Sequence, residues 1–230
     1  MRFRSLHGWG LRIPAARALQ ERLASRIVEA TPADFEPRLV AGADMSHRRG
    51  SPWLYGAVVV VRVEDRAVLE TVTARRKATF PYVPGFLAFR EGPVLLDAFR
   101  RLRARPDAVL FDAHGRAHPR RLGLASLLGL WLGLPSAGCA KSRLCGAHDE
   151  PGPARGTAAP LRHEGERVGT VLRTREGSRP VFVSVGHRIA LADAEALVLR
   201  CTDGRHRLAE PVRLAHLAVN AFRREEEGRG

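Results

Sequence analysis

"RLVAGADMSHRRGSPWLYGAVVVVRVEDRAVLETVTARR", residues 38–76, is the stretch on which the fold turns. Within it the segments 38–46, 55–63 and 67–76 are short, apolar and rich in β-branched residues, with an unbroken run of valine at 58–61. Branching at Cβ crowds a helical turn but fits a pleated strand, so each segment predicts a β-strand. The polar "EDR" between the last two reads as a hairpin loop, and the three strands read as consecutive antiparallel neighbours. Upstream, "PAARALQERLASRIVEA" (14–30) places Leu19, Leu23 and Ile27 at i, i+4 and i+8 behind Pro14, an amphipathic helix. Downstream the period alternates. A helix is predicted over 92–104, with Pro93 in its first turn and Leu95, Ala98, Phe99 and Leu102 on one face. Strand 108–111, helix 119–133 and strand 136–140 follow, then strands 168–174 and 180–185 and helices 190–201 and 210–224. Strands alternating with helices predict an α/β domain. The Pro/Gly-rich residues 146–167 predict a surface loop, and residues 225–230 a frayed tail.

The chain has 230 residues and is 45% hydrophobic, enough for one good-sized core, which predicts a single domain over 1–230. Lys and Arg number 38 against 24 Asp and Glu, a formal net charge of +14. That excess goes beyond what solubility needs and points to a polyanionic partner, a nucleic acid or an anionic membrane surface. The longest uncharged stretch, 122–140, is broken by Pro135 and is too short for a bilayer span. Cys139, Cys145 and Cys201 form no paired metal-ligand spacing, which argues against a disulfide framework or a structural zinc and predicts a reducing, cytoplasmic setting.

Asp44 and Asp112 occupy matched settings, each closing an apolar strand run, "LVAGAD" and "AVLFD". Alone, either is an ordinary strand-end turn residue. On adjacent strands their carboxylates would meet at one sheet edge, where repulsion must be offset by a cation such as Mg²⁺. Glu91 lies just ahead of the helix predicted from 92, where a carboxylate also complements the helix N-terminus. His216 falls off the apolar stripe Leu214, Leu217, Ala218, Ala221 and Phe222 and shares a face with Asn220 and Arg223; there it is a metal ligand, a proton carrier or a solvent-facing histidine. Lys141 follows strand 136–140, positioned to stabilise charge on a cleaved phosphate. Gly138 and Gly146 allow close backbone approach to a ligand, and Arg143 adds a phosphate contact, although a generic turn is the competing account. Arg120 and Arg121 in "HPRRLG" are either a phosphate clamp or a solvated face. "PYVPG" (81–85) stiffens the backbone around Tyr82, as an aromatic wedge or a simple rigid turn would require.

Six segments in order, "AGADMS" (41–46), "PYVPGFLAFREGP" (81–93), "FDAHGRAHPRRLG" (111–123), "GCAKSRLCG" (138–146), "VSVGHRIAL" (183–191) and "RLAH" (213–216), make the chain resemble the endonuclease V family. The resemblance covers roughly residues 20–224. It implies a ribonuclease-H-like fold, a central mixed β-sheet with helices on both faces. It implies Mg²⁺, with Mn²⁺ as a substitute, held by Asp44, Asp112 and Glu91, with Lys141 and His216 in the same active site. The wedge is then Tyr82, with Pro84, Gly85, Leu87, Ala113, His118, Arg120, Gly138, Arg143 and Leu144 about the substrate. The implied activity is hydrolysis of the second phosphodiester bond 3′ to deoxyinosine, by a monomer acting on DNA with deaminated bases and leaving 3′-hydroxyl and 5′-phosphate ends. An inosine-directed RNA nuclease of the same fold and a non-catalytic nucleic-acid-binding protein are the competing classes. Family members usually have glycine directly after the second aspartate. This chain has Ala113, which either narrows the pocket or, if that position needs a glycine-only φ, shifts the Asp112 loop.

Charge of this size has a direct consequence. Binding to nucleic acid should weaken steeply between about 50 and about 200 mM salt as counterions are released from several phosphate contacts. An anisotropy titration that stays flat over that range would contradict a phosphate-binding surface.

Overall fold

The structure is a computed structural model that describes every residue except 2, 4, 229 and 230. The elements in chain order are α1 (Ile13–Ala24), β1 (Leu39–His47), β2 (Trp53–Arg62), β3 (Val68–Lys77), α2 (Leu87–Arg101), β4 (Ala108–Phe111) and α3 (Leu124–Leu132). After them come β5 (Ser136–Ala140), β6 (Ala158–His163), β7 (Glu166–Leu172), β8 (Val181–His187), α4 (Leu191–Arg200) and α5 (Glu210–Gly228). The strands form one mixed sheet in the order β3-β2-β1-β4-β5-β8-β7-β6. β1, β4 and β5 run parallel at its centre, and antiparallel wings flank them. This is the α/β fold with a central mixed sheet that the sequence implied.

The period-2 alternation of each central strand sorts its side chains onto two faces. Ala41, Ala43, Val58, Val60, Val109 and Phe111 pack with α1, α2 and α3. Val40 and Leu110 pack with α4 and the start of α5, and Val59 and Val61 pack with Ala215 of α5. Asp44 continues the even-numbered parity of β1 and so belongs to the α5 side. Gly42 makes that arrangement possible, because a Cβ there would lie 2.0 Å from the carbonyl carbon and oxygen of Pro211, in the first turn of α5. The helix backbone therefore rests directly on the strand, one turn ahead of His216.

Six expectations are corrected. Residues 146–167 are not loop throughout. β6 and β7 form a hairpin whose central residues, Glu164 (φ 53°) and Gly165 (φ 81°), both adopt the left-handed conformation of a type I′ turn. Helix α2 begins at Leu87, because Ala88 and Phe89 extend its buried face, so Pro93 lies inside it and Glu91 sits in the helix rather than ahead of it. Helix α1 ends at Ala24 and α3 begins only at Leu124. The buried stripe of α5 is Pro211, Val212, Ala215 and Val219, while Leu217 is 51% exposed, since the helix seats its small residues on the sheet. Residues 225–228, read as frayed, are helical, with Glu226 paired to Arg75 and Glu227 to Arg223; residues 229 and 230 lie outside the described residues. No described helix is long and apolar enough to cross a membrane.

Gly42→Ala should cost about 3 kcal/mol or more, because the added methyl meets helix backbone that cannot rotate away as a side chain can. Urea denaturation measures it, and a loss below about 1 kcal/mol would mean that α5 does not rest on β1 as described.

Candidate active site

Asp44 and Asp112 are brought together by backbone pairing. The Asp112 N–H donates to the Ala43 carbonyl at 3.1 Å, continuing the parallel ladder one residue beyond β4 and setting Asp112 beside Asp44. The loop behind Asp112 is bolted to α3. The His114 carbonyl accepts from the Ala125 N–H at 3.0 Å and the Gly115 carbonyl from the Gly123 N–H at 2.9 Å, which satisfies helix-start donors that no side chain caps. From α5, His216 places Nδ1 2.7 Å from Asp44 Oδ2. From the end of β5, the Lys141 ammonium contacts Asp112 Oδ2 and lies 3.4 Å from His216 Nδ1. Asn220 donates to the His216 carbonyl at 2.8 Å and accepts from Ser46 Oγ at 2.9 Å, and Arg223 Nε in turn donates to Ser46 Oγ at 2.9 Å. A polar ladder thus runs up the β1–α5 seam and holds the histidine.

The electrostatics are those of too much negative charge in too little water. Burial, then repulsion from Asp112, raises Asp44 to about 6, against the hydrogen bond from His216, the charge of Lys141 and the Met45 N–H. Burial, then Asp44, pushes Glu91 up to about 8, with Asp112 adding and Arg90 opposing. The donor atoms of Asp44, Asp112 and His216 lie within 4.8 Å of one another. Two carboxylates with surplus charge beside an imidazole, already drawing in the Lys141 ammonium, are a donor set suited to a hard divalent cation. The tight cluster comprises His216 with the two aspartates; Glu91 approaches from α2 on the opposite side of the sheet end and couples to both by charge.

Asp44, Glu91, Asp112 and Lys141 line a pocket of about 420 Å³ together with Gly85, Leu87, Ala113, His118, Arg143 and Leu144. The remaining expected residues are elsewhere. Tyr82 stands outside, 60% exposed, with its ring 6.2 Å from that of His47. Pro84 occupies the first corner of a turn. Gly138 has no side chain because the Ala113 carbonyl would lie 2.3 Å from a Cβ there, so its close approach is to the Asp112 loop. A Cβ on Gly146 (φ 81°) would likewise lie 2.4 Å from the Arg162 carbonyl, where Ala147 bridges to β6. Arg120 hydrogen-bonds Gln20 and Gly85, and Arg121 pairs with Glu164 and Glu166, so both guanidiniums are engaged within the protein. Ala113 is not among the non-glycine residues with positive φ, and its methyl packs against the core, so the loop needs no glycine there.

Other residues at the site went unread in the sequence. His114 lines the pocket and donates from Nε2 to the Ser142 carbonyl at 2.9 Å, which leaves Nδ1 buried without a partner; a lone histidine two residues past an aspartate carries no pattern that distinguishes it. Asn220 was legible only as a neighbour of His216. Gln20, wholly buried on the apolar face of α1, was hidden by the leucines on either side of it.

The raised carboxyls fix the sign of a pH effect in the cation-free protein. Asp44 and Glu91 keep protons in the folded state that the unfolded chain releases, so their contribution is full below about pH 4 and is lost as pH rises through about 6 and about 8. Urea midpoints should fall across that window, and Glu91→Gln should flatten its upper half. A midpoint that rises with pH there would reverse the assignment.

The chain matches the Endonuclease V family model over residues 21–217. It is 48% identical to the endonuclease V of Roseiflexus castenholzii, over 91% of this chain and 92% of that one. The crystal structure of the endonuclease V of Streptomyces avermitilis superposes with a TM-score of 0.89 at 39% identity, covering 96% of each chain. A Ciona intestinalis endonuclease V, solved with a 24mer DNA containing an inosine followed by a ribo-adenosine, superposes at 0.81 with 25% identity, covering 93% of this chain and 98% of that one. Family model, sequence and fold agree over nearly the whole length, and they agree with the segments that carry the acidic cluster, so the chain belongs to the endonuclease V family.

Proposed function

We propose that this nuclease recognises deoxyinosine in DNA and hydrolyses the second phosphodiester bond on its 3′ side, leaving 3′-hydroxyl and 5′-phosphate ends. The observation that carries the reading is the cluster of Asp44, Asp112 and His216 at the mouth of a pocket with room for a flipped nucleoside. A divalent cation, Mg²⁺ with Mn²⁺ as its substitute, held by Asp44 and Asp112 with Glu91 and His216 beside them, would supply Lewis acidity at the phosphate and an acidified water.

The chain's own residues do the rest. Lys141, resting on Asp112, brings positive charge to where a phosphate gathers negative charge under in-line attack. His216 directs Nδ1 at Asp44 and is held there by Asn220. Gly85, Leu87, Ala113 and Leu144 wall the base pocket, Arg143 meets phosphate at its rim, and exposed Tyr82 is the wedge that fills the gap left in the stack. Weakly paired lesions are the easiest to unstack, which favours deaminated bases.

A ribonucleotide reading has one specific support, since the Ciona intestinalis complex contains a ribo-adenosine after the inosine. Incubating matched inosine-containing DNA and RNA with Mg²⁺ and mapping the cut separates the two. Nicking of the DNA at the second 3′ phosphodiester is the expected result, and cutting of the RNA alone would reassign the substrate. Asp44→Asn or Asp112→Asn should abolish cleavage while binding largely survives, because a lost ligand removes transition-state stabilisation more than phosphate contact. Near-native cutting by both variants would remove the acidic cluster from the mechanism.

A further inference from the structure

Gln20 is a completely buried amide in α1 with no contact to the acidic cluster, yet all its polar atoms are committed. Nε2 donates to the Gly85 carbonyl at 3.1 Å and to the Leu122 carbonyl at 3.0 Å, while Oε1 accepts from Arg120 Nε at 2.7 Å. The Gly85 carbonyl receives two more donors, His118 Nε2 at 3.0 Å and Arg120 Nη2 at 2.5 Å. The proton on His118 is located by geometry. Nδ1 accepts the Arg120 backbone N–H at 3.1 Å, which leaves Nε2 as the donor. Arg120 also lies over the Phe86 ring, 4.2 Å from its centroid.

The clamped carbonyl belongs to the segment that carries Tyr82. Val83 to Phe86 form a type II turn, closed by the Phe86 N–H on the Val83 carbonyl at 3.0 Å, with Pro84 at its first corner and Gly85 (φ 79°) at its second. A Cβ on Gly85 would meet Arg120 Nη2 at 2.9 Å. Three donors from α1 and the 118–122 loop thus converge on one oxygen three residues beyond an aromatic ring that projects into solvent.

We propose that Gln20 is a positioning residue that, with His118 and Arg120, locks the Gly85 peptide so that Tyr82 meets a duplex as a rigid wedge. The proposal rests on the reading of Tyr82 as the residue that fills the opened stack. A wedge on a mobile loop must be ordered each time it binds, and that cost is subtracted from the binding energy available to open the duplex. Single-stranded substrate needs no opening, so the clamp matters there far less. The same geometry reassigns Arg120 from phosphate contact to internal strut.

Two measurements on Gln20→Leu test it, with Arg120→Lys as a second variant whose partly exposed side chain makes folding safe. Hydrogen exchange at the Phe86 amide reports the turn itself, and the ratio of duplex to single-stranded inosine cleavage reports the wedge. Exchange at Phe86 should accelerate, and the duplex-to-single-strand ratio should fall on the order of tenfold to a hundredfold, while single-strand kcat stays near native. In a Tyr82→Ala background, Gln20→Leu should lower the ratio no further, because both changes remove the same device. Unchanged Phe86 exchange in both variants overturns the clamp. Faster exchange with an unchanged ratio overturns the positioning role if Tyr82→Ala lowers the ratio. If Tyr82→Ala leaves the ratio unchanged as well, the wedge reading itself has failed and the proposal falls with it.

Discussion

Two carboxylates placed side by side, Asp44 inside β1 and Asp112 just past the end of parallel β4, repel one another, and this repulsion organises much of what surrounds them. Burial makes it worse, since the water that would screen Asp44 and Asp112 is largely excluded. The protein answers with the Lys141 ammonium on one acid and the His216 ring on the other, each delivered from a different element. Neither side chain would hold its place unaided. Lys141 follows directly on β5, and its carbonyl is tied to the Arg207 guanidinium. His216 is kept in register by Asn220, Ser46 and Arg223 along the β1–α5 seam. What remains is a deficit of positive charge that a divalent cation is suited to fill.

The arginines divide into two populations. Some are spent inside the protein, where the planar fork bonds backbone carbonyls. Arg173 binds the Gly152, Pro151 and Ser178 carbonyls, Arg207 those of Lys141 and Pro180, and Arg120 that of Gly85. Others, such as Arg48, Arg49 and Arg143, are exposed near the sheet end that carries the acids. Net charge alone counts both populations as phosphate-binding surface, which is why Arg120 and Arg121 looked like a clamp in the sequence.

Strand parity made the centre of the molecule legible. "LVAGAD" and "AVLFD" each end an apolar run on an acid, and two such strands in parallel register leave Asp44 and Asp112 little choice but to adjoin. Strand β6 and its turn into β7 were hidden because only Ala159 and Leu161 mark the buried face of β6, and Glu164 is an unusual residue for a left-handed turn position. Glu91 was placed too early because proline normally signals a helix start, whereas Pro93 is buried within α2. Gln20 is a polar side chain whose burial depends on partners 65, 100 and 102 residues away, a relation no local pattern encodes.

The seat of α5 on Gly42 has a consequence for stability. The helix lies on the sheet through Pro211, Val212, Ala215 and Val219, with Leu214, Ala218 and Phe222 packed alongside on β2 and Leu217 facing outward. Because that seat runs along both β1 and β2, detaching the helix would uncover most of one face of the two strands and so costs a large part of the stability of the whole domain. Detachment would carry His216 away from Asp44, so the same packing that covers this face of the sheet also keeps the histidine at the acid.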